Sequence, residues 1–148
     1  MADIVDSKTR SRMMSGIRSK DTQPEVLIRK LLHSRGFRFR LHVRRLPGKP
    51  DIVLKKHRAV IFVHGCFWHQ HHCRLFRWPS TRPEFWKAKL GRNCEIDARA
   101  IRELQSQGWR TCIIWECSVK NRLSDLDGVT DRISSWLLSS SASLEISK

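Results

Sequence analysis

No apolar run in this 148-residue chain reaches the roughly 18–20 residues needed to span a bilayer. The opening Met1-Ala2-Asp3-Ile4-Val5-Asp6 lacks the basic-then-apolar pattern of a secretory signal. Together these absences lead us to expect a cytoplasmic protein with no membrane partner. Acidic side chains are also scarce: 14 Asp+Glu stand against 29 Lys+Arg, a formal net charge of +15. A globular domain this basic expects a polyanion, and nucleic acid is favoured over a membrane surface. The excess is uneven, with 16 basic and 5 acidic side chains in residues 1–58, so the electrostatic footprint is expected there. There is no internal repeat and no linker-like stretch. The length suits one domain whose core needs no disulfides. Five cysteines at uneven spacing suggest metal binding or buried thiols in a reducing cytosol, before disulfides.

What is present concentrates in Gly65-Cys66-Phe67-Trp68-His69-Gln70-His71-His72-Cys73. This stretch holds two thiols, three imidazoles and two large aromatics. Thiolate and imidazole bind zinc, imidazole can also move protons near neutral pH, and aromatic faces stack on nucleobases. Cys66, His71 and Cys73, with Cys117 far downstream, offer the Cys3His donor set of a closed, structural zinc site. His69 and His72 compete with His71 as the imidazole ligand. Cys117 follows an apolar run read as a strand, so it can lie beside this loop, and the ion would pin the loop to the sheet. Cys94 and Cys112 read as small buried apolar residues.

Along the chain, residues 1–20 are polar and basic, either a frayed terminus or an arm that orders on DNA. Thr22-Gln23-Pro24-Glu25 reads as a capping box opening a helix to about Ser34. Leu27, Ile28, Leu31 and Leu32 form its apolar stripe, and Gly36 supplies a left-handed stop. Phe37, Phe39, Leu41 and Val43 alternate with polar residues, the period of a half-buried strand. Asp51 to Leu54 reads as a short strand, and the apolar Ala59 to Val63 as a central strand covered on both faces. From Arg82 the pattern turns helical, with a break near Gly91, a stripe of Ile96, Ala100, Ile101 and Leu104, and an end at Gly108. Trp109 to Trp115 reads as another buried strand, and Val129, Ile133 and Leu137 mark a last helix. Trp109, Trp115 and Trp136 are most simply core. Residues 139–148 read as a loose Ser-rich tail. The expectation is an α/β fold, a small mixed β-sheet flanked by helices, in one domain over residues 21–138.

Asp51 opens its short strand just past a tight Pro/Gly turn, so its carboxylate falls near the sheet edge. Paired with the neighbouring strand, it would sit across from Val63 or His64. Nucleases that hold Mg²⁺ on strand-end carboxylates share this layout. Lys89, Asn93 and Asp97, spaced i, i+4, i+8 on the long helix, present donor, donor/acceptor and acceptor along one face.

Pro50-Asp51-Ile52-Val53, Val60-Ile61-Phe62-Val63-His64-Gly65-Cys66-Phe67-Trp68-His69, Phe85-Trp86, Trp109 and Ile114-Trp115-Glu116-Cys117 occur in this order. In these motifs the chain resembles the very-short-patch repair (Vsr) mismatch endonucleases over nearly its whole length. The resemblance implies a restriction-endonuclease-like core with a structural zinc site. It also implies a Mg²⁺-dependent nick on the 5′ side of the thymine in a T:G mismatch, the lesion left by deamination of 5-methylcytosine. By the same resemblance, Asp51 matches the Mg²⁺ carboxylate and Val63 supplies a main-chain carbonyl ligand. His69 matches the proton-transfer histidine, and Glu25 and His64 match supporting catalytic positions. Cys66, His71, Cys73 and Cys117 match the Zn²⁺ ligands. Phe67, Trp68 and Trp86 match aromatics that wedge into the duplex, and Met14 an apolar residue inserted from the minor groove. In this family the region of Lys89, Asn93 and Asp97 meets bases near the mismatch. The acidic-x-Lys pair common in the wider nuclease superfamily is absent from Val63-His64-Gly65, where histidine supplies the function in the Vsr subgroup. The expected partners are double-stranded DNA carrying a T:G mismatch and a MutL-type repair protein. A monomer is expected, associated with the nucleoid when on DNA.

The implied chemistry is physically coherent. Attack by water on a stable phosphodiester needs charge neutralisation, from Mg²⁺ on Asp51, and a base, from His69. Two other readings compete: a restriction-type enzyme that cuts both strands, which would need a homodimer, and a non-catalytic zinc-stabilised DNA-binding protein. The second leaves Asp51 and His69 unexplained together.

Overall fold

The computed structural model describes residues 22–120 and 125–147. The arm over residues 1–20, Met14 included, lies outside the described residues. The first helix, α1 (Gln23–Ser34), starts where expected. Thr22 Oγ1 accepts the Glu25 backbone N–H at 3.4 Å, and Pro24 sits in the first turn. Gly36, at φ +89°, turns the chain away from the helix end. Ile28 and Leu32 are fully buried, and so is Glu25, at 2% exposure. A carboxylate on the core side of an amphipathic helix is costly to bury, so it needs partners.

The remaining elements are β1 (Arg40–Leu41), β2 (Ile52–Leu54), β3 (Ala59–His64), α2 (Pro83–Ser106), β4 (Arg110–Trp115), α3 (Leu126–Leu137) and β5 (Ser143–Ile146). They build one five-stranded sheet in the order β1-β2-β3-β4-β5. The β1–β2 and β2–β3 pairs are antiparallel, whereas β3–β4 and β4–β5 are parallel, so the sheet is mixed. All six residues of β3 are buried, as its unbroken apolar run requires of a strand covered on both faces. Alternation then sorts its side chains. Ala59, Ile61 and Val63 pack with Ile28 of α1 and Ile133 and Trp136 of α3. Val60 and Phe62 pack with Leu104 and Ile101 of α2 on the opposite face. By the same period His64 faces α2. Helices thus cover both faces, and the α2 side receives the one polar residue of the strand.

Four expectations are corrected. The strand read over residues 37–43 pairs only at Arg40–Leu41, because His42 adopts a left-handed φ of 51° that ends extended pairing. Phe37 and Phe39 still pack on the α1/α3 core. Helix α2 runs through Gly91 unbroken. Glycine in a helix costs about 1 kcal/mol, which packing of the neighbouring Leu90, fully buried, can offset. Ile96 is 53% exposed, so the buried stripe of α2 is carried by Leu90, Ala100 and Leu104. The tail is not loose: Ser143–Ile146 forms β5, and Ile146 is 1% exposed. Leu144 and Ile146 seat one face of this edge strand on the core, too short an alternation to stand out among serines. No helix among the described residues is long and apolar enough to cross a membrane.

Candidate active site

A cavity of about 690 Å³ opens at the end of β3, lined by Glu25, Asp51, His64, Trp68, His69 and Asp97 among others. Asp51 immediately precedes β2. Its backbone N–H donates to the Ile61 carbonyl at 3.1 Å, and its Oδ2 accepts the Val63 N–H at 2.7 Å. The sheet therefore fixes this carboxylate directly against the Val63 N–H, although the register from Ile52 opposite Ile61 puts Asp51 itself nearer Phe62 than the expected Val63 or His64. Glu25 reaches the same place from α1, and ligand atoms of Glu25, His42 and Asp51 lie within 4.8 Å of one another. Arg29, one turn along α1, donates to Glu25 Oε2 at 3.2 Å. Its Nη2 also meets His42 Nε2 at 3.1 Å, and since guanidinium only donates, that imidazole nitrogen accepts. Burial, and then the nearby Glu25 carboxylate, pushes the Asp51 carboxyl up to about 7. The Val63 N–H and the Arg29 charge oppose this only in part. Two hard oxygen donors crowded in a cleft, with their charge incompletely offset, fit a divalent cation.

Across the cavity stand three more groups. The His64 and His69 rings stack at 3.8 Å with planes 7° apart. His69 Nδ1 is hydrogen-bonded to Asp97 Oδ2 on α2. Burial, and then the neighbouring His69, lowers His64 to about 3, against the attraction of Asp97, so His64 is neutral. Its buried Nδ1 has no hydrogen-bond partner among the described residues. These three groups are close enough to suggest a metal site. Yet two parallel rings 3.8 Å apart cannot both aim in-plane lone pairs at one ion about 2.1 Å away. The arrangement suits proton transfer better. A carboxylate at Nδ1 takes that N–H, which leaves Nε2 of His69 with a free lone pair.

A third cluster lies just beyond. Cys66, His71, Cys73 and Cys117 bring their ligand atoms within 4.8 Å of one another, and Cys117 Sγ lies 3.6 Å from His71 Nδ1. Ligands on one tetrahedral zinc stand roughly 3.5–3.8 Å apart, so the donor set fits that ion. His69 points to Asp97 instead and His72 is exposed against Phe76, which leaves His71 of the three imidazoles that sequence spacing left in competition. Burial raises the Cys66 thiol, a penalty a bound cation would remove. The loop is tied back by the His71 N–H on the Cys66 carbonyl at 2.8 Å and the Cys66 N–H on Glu116 Oε1 at 3.3 Å. Trp115 closes the cluster: its ring stacks on His71 at 4.2 Å and meets His64 edge-on at 5.2 Å. Its indole N–H donates to Glu145 Oε1 on β5 at 2.6 Å.

Phe67, Trp68 and Trp86 form one aromatic group, with ring centroids 5.1 to 6.0 Å apart. All three are partly exposed. Asn93 Nδ2 holds the Trp68 carbonyl at 3.0 Å, so α2 braces this group from behind. Of the three α2 residues read as one face, Lys89 is exposed, Asn93 braces Trp68, and Asp97 turns inward to His69. Cys94 is only partly buried, its thiol on the His69 carbonyl at 3.3 Å, whereas Cys112 is fully buried as expected.

Residues 2–75 match the family model of the DNA mismatch endonuclease Vsr. The chain is 47% identical over 148 residues to the DNA mismatch endonuclease Vsr of Escherichia coli (strain K12), covering 99% of this chain and 94% of that protein. The chain belongs to the Vsr family. It is also 44% identical over 133 residues to the type II nicking enzyme V.XorIIP of Xanthomonas oryzae pv. oryzae, covering 90% of this chain and 95% of that enzyme. Among solved structures, the catalytic domain of the homing endonuclease I-Bth0305I superposes with a TM-score of 0.54 at 21% identity. It covers 80% of this chain and 96% of that domain, and the likeness is one of fold.

Within this Vsr chain, sequence reasoning missed four polar groups that support the site. Arg29 was accessible from its i, i+4 spacing to Glu25, the spacing of helical ion pairs. His42, Glu116 and Glu145 carry no local signal, because each meets the site through a contact distant in sequence.

Proposed function

We propose that this chain nicks one strand of DNA 5′ of the thymine in a T:G mismatch, by Mg²⁺-dependent hydrolysis of the phosphodiester. The observation that carries the reading is the pairing, across one cavity, of the half-buried Asp51 and buried Glu25 carboxylates with the His69–Asp97 dyad. Asp51 and the Val63 carbonyl would hold the cation, with Glu25 beside them. Bound there, Mg²⁺ would neutralise charge developing on the phosphate. His69 Nε2 takes the proton from the attacking water, and Asp97 stabilises the resulting imidazolium through Nδ1. His64, kept neutral and stacked on His69, holds that ring in place without adding a second positive charge. Cys66, His71, Cys73 and Cys117 would hold a structural zinc, which would stiffen the loop that carries Phe67, Trp68 and His69.

Phe67, Trp68 and Trp86 act as the wedge. A mismatched step is easier to unstack than a paired one, so wedges select it by deformability. Lys89 contributes a contact near the mismatch, and Met14 a minor-groove contact from the N-terminal arm. The endonuclease domain spans residues 21 to at least Ile146, since β5 completes the sheet. The enzyme acts as a monomer on one strand, and a MutL-type protein is its repair partner.

The test is a nicking assay on a 5′-labelled duplex with one T:G mismatch in varied sequence contexts, beside a matched duplex and a Mg²⁺-free reaction. The expected result is a single nick beside the thymine only with mismatch and Mg²⁺. Cleavage of both strands of matched DNA, with a dimer on a sizing column, would replace this reading with a restriction-type one.

A further inference from the structure

Beyond Cys73 the chain runs Arg74-Leu75-Phe76-Arg77-Trp78-Pro79-Ser80-Thr81-Arg82 before α2 begins. Phe76 is anchored by its N–H on the Cys73 carbonyl at 3.0 Å, and its ring stacks on Phe67 at 6.2 Å. Trp78 meets Phe76 edge-on at 5.0 Å with planes 83° apart, and is itself 41% exposed. The aromatic group of the wedge therefore continues outward as a row, Trp86–Phe67–Phe76–Trp78, ending on an indole in solvent. Arg74, Arg77 and Arg82 around it are exposed, and no acidic residue lies between His71 and Pro83. Arg82 is ordered over the Phe85 ring at 4.3 Å. An exposed indole in a segment with three arginines and no acidic residue is matched to a ligand with both a flat aromatic face and negative charge. Nucleotides have both. A purely apolar protein partner would leave the arginines unanswered.

We propose that Trp78 is a second stacking contact on the same duplex, taking a nucleotide that flanks the mismatch while Arg74 and Arg77 meet its phosphates. The inference rests on the DNA reading above. Continuity with the wedge is the reason for assigning both contacts to one DNA. The row of rings transmits position from the Cys66–Cys73 loop to Trp78, so the distance between the two contacts is fixed. Trp78 would then hold the flanking strand while the wedge opens the step beside it.

The experiment measures dissociation constants of the full chain and its Trp78→Ala and Trp78→Phe variants on a T:G duplex at fixed salt, without Mg²⁺. Trp78→Ala is expected to weaken binding about tenfold, and Trp78→Phe by less, because a smaller ring still stacks. Arg77→Ala should lower the slope of log K against log salt by about one, while Trp78→Ala leaves the slope unchanged. Abasic sites are then scanned along both flanks. One position should weaken wild-type binding about as much as Trp78→Ala does, and should not weaken the variant further. Unchanged affinity of Trp78→Ala, or a loss that no flanking abasic site reproduces, overturns the proposal and leaves this face to a protein partner. Failure of the mismatch reading is a separate result, the absence of nicking by the wild-type chain on any T:G duplex.

Discussion

Asp97→Asn is the substitution that tests the catalytic geometry most directly. Asp97 is bonded to His69 Nδ1, and as a carboxylate it only accepts, so the imidazole proton sits on Nδ1 and the Nε2 lone pair faces the cavity. Asparagine has nearly the same shape but no charge. If its amide oxygen faces the ring, the tautomer survives and a charge-assisted hydrogen bond becomes a neutral one. If its amide nitrogen faces the ring, Nδ1 must accept, the proton moves to Nε2, and the base is lost. A positioned general base is worth roughly 10²–10⁴ in rate, so the single-turnover nicking rate should fall by about that factor. Duplex affinity should change little, since Asp97 is spent on His69 and Trp68 is braced by Asn93.

The assay is single-turnover nicking of a labelled T:G duplex with enzyme in excess, alongside binding and zinc content. His69→Ala and the double variant complete the cycle. If the two residues act as one unit, the double variant should be no slower than His69→Ala alone. A rate within threefold of wild type, with mismatch preference lost, would refute the dyad. It would return Asp97 to the base-contacting role that the family resemblance implies for the face it shares with Lys89 and Asn93.

The other predictions concern the groups behind the site. In Mg²⁺-free protein the folded-state carboxyl of Asp51 titrates near 7, above its ordinary 3.8, so folding favours the protonated form. Its favourable contribution is present below pH 4 and lost as pH rises through 7, so Asp51→Asn should raise Tm at pH 7.5 and not at pH 4, while abolishing nicking. Equal Tm values at pH 7.5 would count against a strained carboxylate pair. Cys117→Ser should lose zinc by elemental analysis and lower Tm sharply, because structural zinc binding is coupled to folding. Glu145→Leu strips the acceptor from the buried Trp115 indole N–H and should cost about 1–3 kcal/mol, read by denaturant melts, whereas Glu145→Gln should restore most of it. Gln70 has a left-handed φ of 53°, so Gln70→Gly should keep zinc and nicking, and Gln70→Val should weaken both.

Elements whose signal is local were legible in the sequence. The Thr22 cap, the Gly36 stop and the buried β3 run are written within a few residues each, and the structure has them where that signal falls. Elements whose signal is shared were not. Strand β5 owes its existence to the parallel register on β4, Thr111 opposite Ser143 through Ile114 opposite Ile146. Nothing in Ser143-Leu144-Glu145-Ile146 alone distinguishes it from a frayed end. Gly91 misled in the opposite direction, because its weak propensity penalty was overridden by helix packing on the sheet.

The same division runs through the site. Three imidazoles in four positions, His69, His71 and His72, could not be assigned by spacing, since any of them reaches any nearby ligand. The backbone makes the assignment. Between His69 and His71, Gln70 takes a left-handed φ of 53°, and the two imidazoles reach different partners. His69 goes to Asp97 on α2, and His71 goes to Cys117 beyond β4 and lies flat on Trp115. The Cys66/His71/Cys73/Cys117 cluster and the His69–Asp97 pair are thus one residue apart along the chain and share Trp115, whose ring borders His71, His64 and His69. Two neighbouring clusters that draw on one short loop and pack on one indole ring account for the density of thiols, imidazoles and rings in so short a stretch.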